Sequence, residues 1–182
     1  MGCSKAELPW GDRTLLEAVV ERVGQAVPEV ILVAREGQEL ALPSGFAVAR
    51  DAAEGRGPLA GLVAGMEATK ADRVFLAACD SPFIEPALIE RLLYLSRGRD
   101  AAVPVIGGHY MVTTAVYTRA ALPIARELIA ADRLRPRFML ERLNTRIVTP
   151  SEMRAVDPEL RSFRGCNTPE EYAAALHEAG LD

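Results

Sequence analysis

Residues 74–82 read VFLAACDSP, five apolar residues followed at once by a cysteine, an aspartate and a turn-forming Ser-Pro pair. A short, uninterrupted apolar run is typical of a strand that is buried on both faces of a parallel sheet. Apolar residues at helical spacing over 59–70 and 86–96 predict a helix before and a helix after this strand. Because strands that alternate with helices build sheets covered on both faces, the stretch predicts an α/β fold.

The same alternation continues on both sides of this stretch. Upstream, the pattern predicts a helix over 14–27 and two strands over 30–34 and 46–49. The last helix opens with a predicted capping box formed by Thr168 and Glu171. Three further strands and two further helices are predicted at 100–105, 111–117, 147–148, 122–132 and 136–143. We therefore predict one domain over 1–182, a three-layer, doubly wound α/β fold with a mostly parallel sheet.

The composition narrows the classes of function. The 182 residues are 49% hydrophobic and 25% charged, a balance typical of folded globular proteins. With 21 basic and 25 acidic residues, the net charge of −4 provides no general attraction to nucleic acid or to anionic lipid. We find neither an apolar run of about 20 residues nor a basic leader segment, so the sequence predicts a cytoplasmic protein without a membrane span. Cys3, Cys79 and Cys166 are widely spaced and are expected to be reduced.

Two aspartates follow predicted strands. Asp51 comes after the strand at 46–49, and Asp80 comes after the strand at 74–78. Ligands of open parallel sheets bind beyond the carboxyl ends of the strands, and Mg²⁺ takes one or two carboxylates together with substrate phosphates. Either aspartate alone could equally be a helix cap or a turn former.

Three other features are candidates for ligand binding. The loop GRGPLAG at 55–61 leads into a helix, so its backbone amides could receive an anion, although a tight strand-to-helix connection has the same pattern. Lys5 precedes the first helix, where its ammonium could reach phosphates or could simply face solvent. His109 lies beside two glycines and His177 on the last helix, and neither position favours catalysis.

Four motifs in order carry a family resemblance: MGxxKAxLPWG at 1–11, Asp51 with GPLAG at 57–61, CDSPF at 79–83 and NTPEE at 167–171. Together they resemble the molybdenum cofactor guanylyltransferases over nearly the whole chain. The resemblance implies a fold like that of the nucleotide-diphospho-sugar transferases and binding of GTP with Mg²⁺. It also implies that the terminal phosphate of molybdopterin attacks the α-phosphorus and releases pyrophosphate, and that a molybdoenzyme or a cofactor-delivery protein is a partner.

The resemblance also implies a role for each matching position. Lys5 and Asp80 are the catalytic residues, because Lys5 neutralises phosphate charge and Asp80 binds the metal. Asp51 helps to seat the guanosine, and Asn167 lies near the acceptor pocket. The loop residues beside the nucleotide are Gly57, Pro58, Leu59 and Gly61.

The chain differs from the family pattern at three places. A strand and an LxGGxSxR phosphate loop precede the MGxxK motif in the family, and Met1 stands at the start of that motif. That strand is central in the family's sheet. We expect a misassigned start, an engineered truncation or an omitted leader rather than a natural enzyme that lacks this strand and loop. Without them, the neighbouring strands would have unpaired edges. Ala34 stands about where the family has an asparagine, and Gly165 replaces the first asparagine of NxNTP.

Two alternatives to the guanylyltransferase hypothesis therefore stay open. One is a related nucleotidyltransferase with another base or acceptor, such as molybdopterin cytidylyltransferase or a sugar-phosphate or lipid-precursor nucleotidyltransferase. The other is a non-catalytic nucleotide-binding or regulatory module.

Overall fold

The computed structural model describes residues 4–38, 45–51 and 57–181. In these ranges it contains two main sheets that pack against helices and one short two-stranded sheet. The smaller sheet pairs β3 (Ile31–Arg35) with β4 (Ala47–Asp51) in parallel. The larger sheet has five strands, β5 (Arg73–Ala77), β6 (Ala101–Ile106), β7 (His109–Tyr110), β8 (Thr114–Thr118) and β9 (Thr145–Val148). A short antiparallel bridge joins β1 (Pro9–Trp10) to β2 (Arg13–Thr14). The helices are α1 (Leu15–Gly24), α2 (Gly57–Ala68), α3 (Pro86–Leu95), α4 (Ala121–Ala130), α5 (Arg137–Leu140), α6 (Pro150–Met153) and α7 (Pro169–Ala179).

The α/β fold is confirmed, and its larger sheet is mixed in direction. β8 runs antiparallel to both β5 and β6, whereas β9 runs parallel to β6. The sequence predicted mostly parallel pairing, which would require a long crossover between β6 and β8. The chain instead reverses at Gly107 and Gly108, which have φ values of 57° and 82° and join β6 to β7 in a hairpin. Two consecutive residues with positive φ suit the primed turns that link antiparallel strands.

Both faces of the larger sheet are covered by helices, which gives the three layers that the sequence predicted. On one face, Val103 and Tyr117 pack in a core cluster with α2, α4 and α5. On the opposite face, Ala102 and Val116 pack with residues of α3 and α6. Because neighbouring residues of β6 and β8 point to opposite faces, the same two strands contribute side chains to both cores. These side chains are at most 1% exposed.

A cavity of about 1260 Å³ separates the two sheets. All five residues of β3 and all five of β5 line it. Within the described ranges, β3 pairs with β4 alone and β5 pairs with β8 alone, so each strand leaves one edge open on the side of the cavity. Arg35, Asp51 and Ala77, the last residues of β3, β4 and β5, all line the cavity and form its mouth.

Local sequence signals explain how the helices begin. Thr14 caps α1 by accepting a hydrogen bond from the Glu17 amide, and Thr168 caps α7 by accepting one from the Glu171 amide. Both are complete capping boxes, which confirms the prediction for α7. None of the helices in the described ranges is long and apolar enough to cross a membrane. Cys79 and Cys166 are free thiols, as expected, whereas Cys3 lies outside the described residues.

Candidate active site

Three polar side chains from distant parts of the chain meet at the mouth of the cavity. The Lys5 ammonium donates hydrogen bonds to Asp80 Oδ2 at 3.0 Å and to Asn167 Oδ1 at 2.7 Å. Lys5 begins a short 3₁₀ turn ahead of α1, Asp80 follows β5, and Asn167 precedes α7. All three line the cavity, and Lys5 and Asp80 were both predicted catalytic residues.

The turn after β5 holds Asp80 from both sides. Its backbone carbonyl accepts a hydrogen bond from the Cys166 amide at 2.8 Å, which ties β5 to the segment before α7. The Ile84 amide closes the turn by donating to the Ser81 carbonyl at 3.3 Å, and both of these residues are buried. The Asp80 side chain lines the cavity and is 16% exposed. It therefore lies at the carboxyl end of the strand, as predicted.

The start of α7 fixes Asn167 in a similar way. Its backbone amide donates to Glu171 Oε2 at 2.8 Å, and the Thr168 amide donates to the same oxygen at 3.0 Å. The approach of Asn167 to Asp80 also depends on Gly165. A Cβ atom at Gly165 would lie 2.9 Å from Asn167 Nδ2 and 3.3 Å from Asp80 Oδ1. The sequence marked Gly165 only as a departure from the family pattern, yet the absence of its side chain is what leaves room for the cluster.

The thiols of Cys79 and Cys166 lie close to Asp80, and its charge affects the pKa of each. Cys79 is exposed at the surface, yet the surrounding protein atoms partly desolvate its thiol, and this desolvation and the charge of Asp80 raise its pKa. The charges of Lys5 and Arg35 act against this rise. Burial, with smaller contributions from Asp80 and Glu171, raises the pKa of Cys166 to about 11. Both sulfurs are therefore protonated at neutral pH, and neither is an activated nucleophile.

The mouth of the cavity also contains Arg35 and Asp51, which end β3 and β4 and lie opposite each other in the register. Asp51 is the last residue of its strand rather than the residue after it. Asp51, Asp80 and Lys5 line one cavity, at the strand ends where the sequence placed the two aspartates. Arg35 was not among the predicted site residues. Its position at the carboxyl end of a predicted strand is the signal that could have identified it.

The predicted glycine-rich loop is helical from Gly57 onward, since α2 begins there. Pro58 and Gly61 lie one turn apart on the face of α2 that lines the cavity. Among the described residues, no atom would lie within 4 Å of a Cβ atom at Gly61, so these residues leave the space in front of it open. Leu59 points away into the core, and neither Leu59 nor Gly57 lines the cavity. Gly55 and Arg56 lie outside the described residues.

The two histidines are in other parts of the molecule. His109 is exposed on β7 and His177 lies on α7, and neither is among the residues that line the cavity. This agrees with the prediction that neither position favours catalysis.

The cluster suits chemistry that depends on positioning and on charge neutralisation. Phosphoryl-type transfer needs cationic groups on the phosphates more than a covalent nucleophile of the protein. In the described ranges, no group of three acidic, histidine or cysteine side chains is arranged to hold a metal ion by itself. One carboxylate and one amide oxygen do fit Mg²⁺, which takes few protein ligands and fills its shell with phosphates and water.

Comparisons with known proteins identify the family of the chain. A model of the MobA-like NTP transferase domain matches residues 1–147. A probable molybdenum cofactor guanylyltransferase of Methanosarcina acetivorans is 32% identical over 186 residues, which cover 94% of this chain and 82% of that protein. A molybdenum cofactor guanylyltransferase of Desulfosudis oleivorans is 29% identical, over 96% of this chain and 86% of that protein.

Two solved structures resemble the fold. Molybdopterin-guanine dinucleotide biosynthesis protein A from Archaeoglobus fulgidus superposes with a TM-score of 0.85 at 26% identity, over 98% of this chain and 92% of that one. The 2-C-methyl-D-erythritol 4-phosphate cytidylyltransferase of Thermus thermophilus superposes with a TM-score of 0.72 at 18% identity, over 97% and 94% of the two chains. The second likeness concerns the fold alone.

Proposed function

Because the chain belongs to the family of MobA-like NTP transferase domains, we propose that it transfers GMP from GTP to the terminal phosphate of molybdopterin and releases pyrophosphate. Its relatives over most of the chain are nucleotidyltransferases named for this reaction. The observation that carries the proposal is the convergence of Lys5, Asp80 and Asn167 at the carboxyl ends of the strands. At this place, the ammonium and a metal ion held by the carboxylate can neutralise the charge of a triphosphate.

Asp80 and Asn167 are the residues that would hold Mg²⁺. Their fit to a cation is visible in the structure, because Asp80 Oδ2 and Asn167 Oδ1 both accept hydrogen bonds from the Lys5 ammonium. When bound, Mg²⁺ would polarise the phosphate oxygens and stabilise the charge that develops on them. Lys5 would contact the phosphates, and its positive charge would favour departure of pyrophosphate. This assigns Asn167 to the metal as well as to the neighbourhood of the acceptor.

We propose that Arg35 and Asp51 contact the base. Guanine offers acceptor atoms O6 and N7 to a guanidinium, and its N1–H and amino groups are donors that a carboxylate can accept. Both side chains line the mouth of the cavity. The open space in front of Gly61 leaves room for the ribose or the base. Ala34, which replaces the family's asparagine, is buried, so the adjacent Arg35 is the better candidate for base contact.

The test is release of pyrophosphate by the purified protein. We expect release with GTP, Mg²⁺ and molybdopterin together, and only background when any one of the three is omitted. CTP in place of GTP is the matched control for base selection. Faster release with CTP would identify a cytidylyltransferase, and nucleotide binding without turnover under any of these conditions would identify a non-catalytic module.

Location and partners follow from this role as expectations. A cytoplasmic location and contact with a molybdoenzyme or a cofactor-delivery protein remain predictions, made from the sequence and from the resemblance. Pull-down of molybdoenzymes with the tagged protein would test the second expectation directly.

A further inference from the structure

We propose that Lys5 is an internal counter-ion that occupies the cation position between Asp80 and Asn167 until a metal–nucleotide complex displaces it. The inference rests on the proposed function, because it concerns how the same site accepts its metal. Its consequence is that a divalent cation enters together with the nucleotide rather than before it.

The first step in the argument is that the ammonium already has the contacts of a bound cation. Lys5 Nζ lies 3.0 Å from Asp80 Oδ2 and 2.7 Å from Asn167 Oδ1. These two oxygens belong to the supported turn after β5 and to the capped start of α7. Lys5, in contrast, has a flexible four-carbon stem and is 35% exposed, so its ammonium can leave while the two oxygens stay in place.

The second step is that the ammonium and a metal ion exclude each other. An Mg²⁺ ion bound directly to both oxygens would lie about 2.0–2.1 Å from each, within the space that the ammonium fills. Two cations that shared this space would also repel each other strongly. Metal binding to Asp80 and Asn167 therefore requires that Lys5 move away.

The third step concerns what Lys5 gains when it moves. A free metal ion would bind Asp80 Oδ2 and Asn167 Oδ1, the two acceptors of the ammonium, and would bring no new acceptor for Lys5. A metal–nucleotide complex brings phosphate oxygens into the same cavity, and these can accept the displaced hydrogen bonds. The phosphates of the nucleotide thus offset the loss of the hydrogen bonds that Lys5 made to Asp80 and Asn167. Metal and nucleotide should therefore strengthen each other's binding by the same factor.

Binding of Mn²⁺, followed by electron paramagnetic resonance without turnover, tests the inference. Lys5→Met removes the charge and keeps most of the stem. We expect this variant to bind Mn²⁺ alone at least about fivefold more tightly than the unmodified protein, the lower end of ordinary coupling between two sites. Adding GTP should tighten Mn²⁺ binding to the unmodified protein and should have less effect on Lys5→Met.

Two further variants complete the experiment. Lys70 lies in an exposed position outside the cavity, so Lys70→Met should bind Mn²⁺ like the unmodified protein. Lys5→Arg keeps the positive charge and should also bind Mn²⁺ weakly in the absence of nucleotide. Equal or weaker Mn²⁺ binding by a folded Lys5→Met would overturn the inference. A protein that couples Mn²⁺ to GTP but releases no pyrophosphate would contradict the proposed function and leave this inference standing.

Discussion

The two sheets of the molecule differ in how completely they are packed. In the larger sheet, Val103 and Val116 have no exposed surface, whereas Val48 of the β3–β4 pair is 40% exposed. The candidate site lies on the boundary, since Asp80 extends from the larger sheet and Asp51 ends a strand of the smaller one. We therefore expect stability to depend mainly on the larger sheet and ligand binding on the boundary between the two sheets. Substitutions in the two sheets and at their boundary should therefore separate the two properties.

The largest expected effect is on stability, in the larger sheet's core. Leu88 of α3 has no exposed surface and packs against β6, β8 and α6. Leu88→Ala should lower the free energy of unfolding by about 2–5 kcal/mol, because it removes buried methyl groups and leaves a cavity. Urea denaturation followed by circular dichroism measures the change. A loss below about 1 kcal/mol would show that this sheet is less tightly packed than the structure indicates.

At the boundary, the expected effect is on catalysis. Asp80→Asn removes one negative charge from the proposed metal site and should lower turnover at least ten- to hundredfold, equivalent to about 1.4–2.7 kcal/mol. The free energy of unfolding should change by only a few tenths of a kcal/mol, since asparagine keeps the shape and can still form the turn. Pyrophosphate release and the melting temperature should be measured on the same preparation. Turnover close to that of the unmodified protein would remove Asp80 from the mechanism.

A matched pair of helix caps gives an intermediate effect. Thr14 and Thr168 form the same capping box, but only Thr168 adjoins the active-site cluster. Each change to alanine should lower the free energy of unfolding by about 1 kcal/mol. Thr168→Ala should also weaken Mn²⁺ binding, because the start of α7 positions Asn167. Equal metal affinity in the two variants would show that Asn167 does not depend on this cap.

The smallest effect is expected in the smaller sheet. Val48→Ser replaces a side chain that is 40% exposed, so the free energy of unfolding should change by no more than about 0.5 kcal/mol. The buried control is Val103→Ala in β6. If Val48→Ser cost as much as the control, the β3–β4 pair would have to be covered in solution, and the contrast between the two sheets would fail.

The sequence predicted the features that depend on local chemistry. The alternation of apolar runs and helical spacing gave the α/β architecture, and Asp80 stands at the strand end where it was expected. The direction of β8 was missed because it depends on a hairpin at Gly107 and Gly108, not on the apolar pattern. The extent of α2 was also misjudged, since Gly57 and Pro58 are typical of loops but here form its first turn.

The candidate site was predictable residue by residue but not as a geometry. The resemblance identified Lys5, Asp80 and Asn167, yet their mutual hydrogen bonds arise from packing between segments far apart in the chain. Gly165 could not be recognised by its own chemistry, because its role is to leave space next to Asn167 and Asp80. Close approach of this kind depends on the tertiary structure and has no local sequence signal.

The hydrogen bond between Lys5 and Asn167 spans 162 positions, so it joins the beginning of the chain to its last helix. Tyr172 strengthens the same junction by donating to the Pro9 carbonyl. Contacts between such distant residues close a very long loop, and the entropic cost of closure falls once the intervening strands and helices have been brought together. The corner formed by Lys5, Asp80 and Asn167 is therefore complete only when α7 has docked. A chain whose last helix has not docked lacks Asn167 beside Lys5 and Asp80, so we expect Mn²⁺ binding to depend on the docking of α7.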